Sequence, residues 1–91
     1  MNTYAERNRA IKAARITEIL IVAHDRHLED ALVCAELISS EPSLEHYRRL
    51  VGDAAGVHPP SVETMEIVCI QLRARVAVAA APEGDPFACF Q

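Results

Sequence analysis

The side chains best suited to chemistry in this chain are few and scattered. His24 and His27 stand three residues apart in the run HDRH, with Asp25 between them. On a helix that spacing can bring two imidazoles to one metal ion. A stable site needs three or four ligands, and His46, His58 and Cys34 stand at no fixed spacing that would supply them. The expectation is polar histidines at a helix junction, with no bound metal and no other cofactor. Cys34, Cys69 and Cys89 could pair with a histidine base as nucleophiles. However, Cys34 and Cys69 fall on apolar stripes, where thiols are inert packing groups. The cysteine count is odd and no CxxC pair occurs, which argues against a disulfide framework and for a reducing compartment. Carboxylates gather only on one polar helical face, and no glycine-rich phosphate loop is present. The residues give no support to an enzyme and no catalytic assignment.

Charge is more informative than any motif. The chain carries a net charge of −4, which argues against a strong nonspecific nucleic-acid binder, because neutralising phosphates takes clustered Lys and Arg. The distribution is uneven. Residues 1–15 sum to +3 through Arg7, Arg9, Lys12 and Arg15 against Glu6. Residues 25–45 sum to −5 through Asp25, Glu29, Asp30, Glu36, Glu41 and Glu45 against Arg26. A basic start and an acidic middle suit electrostatic steering of a partner. The first residues have no apolar core of signal-peptide length, and no run approaches a membrane span. A soluble, cytoplasmic protein is expected. Its Ala, Arg and Val usage suggests a GC-rich bacterial or phage genome.

The elements that must carry these residues are helices. Of 91 residues, 51% are apolar and mostly aliphatic, with only three Gly and five Pro. That balance favours packed helices over a sandwich or barrel, which needs more turn residues. Thr3 and Glu6 form a plausible capping box, and no Gly or Pro follows until Pro42. Residues 4–40 could be one long helix or two. A small monomer cannot bury the stripe of a single helix of that length, so a break near His24–His27 is favoured, with Asp25 capping the second helix. In the first segment Ala13, Ile16, Leu20 and Ala23 share helical spacing, widened by Ile19, Ile21 and Val22. In the second, Leu28, Ala31, Ala35 and Ile38 form one face, with Glu29, Asp30 and Glu36 largely opposite. A third helix runs from Pro42 to about Ala55, capped by Ser40 or Ser43, with Leu44, Tyr47, Leu50 or Val51, and Ala54 as its apolar set. Gly56 is the expected left-handed stop. Pro59-Pro60 fit the first turn of a fourth helix, which carries Val62, Met65, Cys69, Leu72, Val76 and Ala79 on one stripe and ends near Ala80. Residues 82–91 have loop composition.

The stretch around Gly56 resembles a helix-turn-helix unit. Gly56 stands in the turn and Gly52 four positions before it, with Val51, Ala55, Val57, Val62 and Met65 at the apolar positions. Small residues there let two helices approach, and the glycine turns without strain. In such a unit the start of the second helix would face the major groove. Pro59, Pro60, Glu63 and Glu66 stand where base-reading and phosphate-binding residues would be needed.

The expectation is an all-α single domain over residues 1–91. It is a bundle of about four helices with a helix-turn-helix-like hairpin and an extended C-terminal tail. The expected function is that of a small non-enzymatic regulator or inhibitor that binds another protein and forms a homodimer. Leu72, Val76, Val78, Phe87 and Phe90 would be its apolar anchors, and Glu29, Asp30 and Glu36 its steering charges. The alternative is a dimeric helix-turn-helix regulator touching DNA through Arg48, Arg49, Ser61, Thr64, Arg73 and Arg75.

Overall fold

A computed structural model describes residues 3–80, with the side chains of Thr3 and Pro42 excepted. Four α-helices follow in order: α1 (Thr3–Ala23), α2 (Leu28–Ser40), α3 (Glu45–Ala54) and α4 (Val62–Ala80). A 3-10 turn (Pro42–Leu44) leads into α3. No strand occurs among the described residues. The all-α bundle expected from composition is what the chain forms. The capping box at Thr3 and the tail residues Phe87 and Phe90 lie outside the described side chains.

The break between α1 and α2 falls at residues 24–27, as anticipated. Its chemistry differs from expectation. The Arg26 amide donates to the Ile21 carbonyl at 2.7 Å, and the Asp25 amide to the Val22 carbonyl at 3.0 Å. Asp25 and Arg26 take left-handed φ values of 53° and 67°. This is the hydrogen-bond pattern that closes a helix C-terminus. Asp25 therefore ends α1 and does not cap α2; His27 holds that position without a side-chain bond. Asp is among the few non-glycine residues that adopt the left-handed conformation at modest cost.

The same closure ends α3. The Val57 amide reaches the Gly52 carbonyl at 2.8 Å, and the Gly56 amide the Asp53 carbonyl at 3.1 Å. Gly56 sits at φ 72°, the left-handed stop expected there. At α3's start neither serine caps. The Ser40 hydroxyl donates back to the Glu36 carbonyl at 2.9 Å, and Leu44 occupies the cap position. Pro59-Pro60 stand before α4, not in its first turn. Ser61 caps α4 instead, its hydroxyl accepting from the Thr64 amide at 3.2 Å.

The core is made by three helices. Ala13, Ile16, Leu20 and Ile21 of α1 meet Ala31, Ala35 and Ile38 of α2 and Met65, Val68, Cys69 and Leu72 of α4. Alanines on α2 let α4 approach closely, and burial of each larger side chain contributes about 1.5–3 kcal/mol. Thr17 is buried with them. Its hydroxyl lies 2.7 Å from the Ala13 carbonyl oxygen and 2.9 Å from the Gln71 amide oxygen. The one hydroxyl proton goes either to the Ala13 carbonyl within α1 or to Gln71 Oε1 of α4, and the second bond ties the two helices.

α3 departs from the expected packing. Tyr47, Leu50 and Ala54 are exposed and Leu44 is half-buried. α3 leans on α1 and α2, with Val51 and the following Ala55 against the core, and its body does not pack along α4. Gly52 fixes this orientation, because its Cα lies flush on the backbone of His58 and Pro59. The opposite side of the short helix then faces outwards, apolar or not.

Candidate protein-docking groove

The outward turn of α3 leaves an apolar depression of about 300 Å³ between α2 and the 3-10 turn with α3. Val33, Cys34, Leu37 and Ile38 line it from α2, and Leu44 and Tyr47 from the other wall. Val33 and Leu37 are one turn apart, so they form one ledge. They are 53% and 49% exposed, and Tyr47 is 56% exposed. Proline at 42 explains the gap. Glu41 before it is extended, with φ −109° and ψ 104°, which ends α2 and lets the chain double back without covering Val33. The Tyr47 ring is held edge-on to His46, with centroids 5.9 Å apart.

One acidic side chain borders this surface. Asp30 lines the groove, and Glu29, Glu41 and Glu45 are exposed nearby in the chain. Asp30 lies 3.6 Å from the His27 ring, and Glu45 lies 3.8 Å from Arg49. Both contacts are on the surface, where such pairs contribute little.

The sequence-derived anchors fall elsewhere. Leu72 is completely buried in the core and cannot serve a partner while the fold stays closed. Val76 is half-buried, and Val78 is exposed on the outer side of α4. Glu36 is not a free steering charge, since it accepts from Arg73 at 3.1 Å. α1 and α2 pack on α4 and bury Met65, Val68, Cys69 and Leu72, while Val62, Ile70 and Val78 of the same helix stay exposed. Val33 and Leu37 were not singled out by sequence. The available signal was their position on α2, away from the Ala31, Ala35 and Ile38 face.

The groups proposed to touch DNA are mostly engaged. Arg49 pairs with Glu45, Arg73 with Glu36, and Arg75 with Glu18. The Arg48 Nε–H is buried without an acceptor among the described residues. Thr64 is buried, and its hydroxyl shares a hydrogen bond with Ser61 at 3.0 Å. These two residues stabilise the start of α4 and present little to a ligand.

Three other depressions have mixed polar and apolar linings. One of about 610 Å³ between α2 and α4 is crossed by the Arg73–Glu36 pair. Two more beside the Gly56 turn share Lys12 and His58. No group of three or more His, Cys, Asp or Glu among the described residues could hold a metal ion. No described helix is long and apolar enough to cross a membrane.

Burial pushes the thiols of Cys34 and Cys69 above the ordinary value; at Cys69 this outweighs the opposing pull of Arg73. In a Cys89→Ser background, both should react with a maleimide more slowly at neutral pH than a free cysteine does. The raised values also couple to stability. The unfolded chain loses these protons first as pH rises, so their contribution is complete below the ordinary thiol pKa and declines above it. Urea titrations should show a midpoint that falls through that alkaline window and recovers in Cys69→Ala relative to its own neutral value.

No protein-family model matches the chain, and neither a curated protein nor a solved structure matches it.

Proposed function

We propose that this chain is a small non-enzymatic regulator or inhibitor that captures a basic amphipathic helix of another protein in the groove between α2 and α3. One observation carries the reading. Val33, Leu37 and Tyr47 leave a contiguous apolar depression open to solvent, with the Asp30 carboxylate on its lining. Single exposed apolar residues are ordinary on a protein surface, but a contiguous concave set costs solvation and suits a ligand. An amphipathic helix offers apolar residues at helical spacing for such a groove. The net negative middle of the chain selects a partner with Lys and Arg beside those residues, mainly by raising the encounter rate.

The non-enzymatic part of the reading rests on the groove's titratable groups. Cys34 has a raised thiol pKa, the reverse of an activated nucleophile, and the one ion-pair contact of Asp30 among the described residues is with the exposed His27. A cytoplasmic setting and a bacterial or phage source remain compositional proposals.

The test is a fluorescence-anisotropy titration with an 18-residue synthetic helix of Leu, Lys and Arg. The wild-type chain should bind it. Leu37→Gln should weaken binding by about tenfold or more, as loss of a central anchor does, while Val78→Gln leaves it unchanged. Leu37 is half-exposed, so the variant keeps the fold. A random DNA duplex is the second ligand. If the duplex binds with a steep salt dependence and the peptide does not bind, the helix-turn-helix alternative replaces this reading.

A further inference from the structure

We propose that, without a partner, the groove is filled by the outer face of α1 from a second copy of this chain. This inference rests on the groove reading above and adds its regulation. Three large apolar residues of α1 face away from the core: Tyr4 and Val22 are exposed, and Ile11 is 48% exposed. At about 100° per residue they fall within about 20° of one another around the helix, so they form one stripe. Arg15 lies in that stripe and Arg7 stands one turn before Ile11; Glu18, also in the stripe, has its charge met by Arg75 of α4. This is the pattern the groove selects: apolar side chains flanked by cations.

Arg7, Arg9, Lys12 and Arg15 form no ion pair among the described residues, and neither do Arg26 and Arg48, but only α1 gathers four such cations on one element. The basic helix and the acidic groove cannot satisfy each other within one chain. α1 already packs its inner face, through Ala13, Ile16 and Leu20, into the core. Its outer stripe and the α2–α3 groove can meet only between copies. Reciprocal docking gives a two-fold dimer with both grooves filled, and one-way docking gives a head-to-tail chain. Either arrangement hides the groove, so a partner helix must compete with self-association. The free monomer is then the binding form, and partner capture per chain falls as the concentration rises.

Sedimentation equilibrium from about 1 µM to about 1 mM tests this, alongside the peptide titration. The wild-type chain should gain mass with concentration, and the peptide should reverse the gain. Ile11→Gln, Arg15→Glu and Asp30→Arg should each weaken self-association about tenfold or more. Mixing Arg15→Glu with Asp30→Arg should restore it, because each variant's α1 then faces a groove of opposite charge. Thermal melts check that each variant is folded; all three positions are on the surface. A chain that stays monomeric yet binds the peptide overturns this inference and leaves the groove reading in place. Self-association that survives all three substitutions, or that mixing does not restore, also overturns it. A monomer that binds no peptide overturns both.

Discussion

Leu72→Ala should lower the unfolding free energy by about 2–5 kcal/mol. Leu72 is fully buried and sits one turn beyond Val68, where α4 meets α1 and α2 together. Truncation removes the transfer energy of the missing carbons and leaves a cavity. The walls are side chains on three helices already in contact, so they relax only partly. A domain of this size has about 5–15 kcal/mol in total, and each 1 kcal/mol moves the midpoint of melting by about 4–8 °C. The variant should therefore be partly unfolded at moderate temperature. Val78→Ala, on the exposed outer side of the same helix, should stay within about 0.5 kcal/mol of the parent. Urea unfolding followed by circular dichroism measures both. A small loss at Leu72 accompanied by a change in oligomeric state would instead make α4 an interface helix.

Gly52→Ala should destabilise by about 1–3 kcal/mol, although alanine is the better helix former. The added Cβ would lie 2.8 Å from the His58 carbonyl oxygen and 3.1 Å from both the His58 carbonyl carbon and the Pro59 Cα. All three are backbone atoms, and two prolines follow, so the neighbour cannot swing aside as a flexible side chain could. Helix propensity favours alanine over glycine by about 1 kcal/mol, which is less than the steric cost. Gly56→Ala makes a useful contrast. Nothing lies within 4 Å of a Cβ there, but φ is 72°, so its cost of about 1–2 kcal/mol is conformational. Gly56→Asn should recover part of that loss, whereas no side chain should rescue position 52. Equal, small effects at both positions would mean that α3 is not held against the turn as described.

Much of the bundle is legible in the sequence because punctuation and periodicity agree. Pro42 and Gly56 mark ends that helices respect, and the Ala31, Ala35 and Ile38 face of α2 is buried as its spacing implies. The stop at residues 24–27 is legible only as an argument about length. No Gly or Pro announces it, and two consecutive left-handed residues, Asp25 and Arg26, make the turn. α3 is where local reading fails. Its apolar residues share one face by spacing, yet the helix is rolled so that Val51 and Gly52 turn inwards and Tyr47, Leu50 and Ala54 outwards, with Gly52 against the His58 and Pro59 backbone. That contact is tertiary and leaves no periodic trace.

The candidate site follows from the same cause. Apolar residues nearly encircle α4; α1 and α2 bury one side of it through Met65, Val68, Cys69 and Leu72 and leave Val62, Ile70 and Val78 outside. On α2, Val33 and Leu37 look no different from core residues by type. Only the packing of the alanine side against α4 shows that they are left outside. Charge was easier to read, since an acidic middle and a basic start need no coordinates. The structure adds that Arg73 is paired with Glu36 and Arg75 with Glu18, so that four of the cations without an ion pair among the described residues, Arg7, Arg9, Lys12 and Arg15, lie on α1.

The central claim is that the groove between α2 and α3 receives a basic amphipathic helix. An amide NMR titration of the dilute monomer with the Leu, Lys and Arg peptide tests it residue by residue. The expected result is saturable shifts centred on Val33, Leu37 and Tyr47, with Val68 and Leu72 little changed. Absence of shifts, or shifts confined to Lys12, His58 and the Gly56 turn, would contradict it.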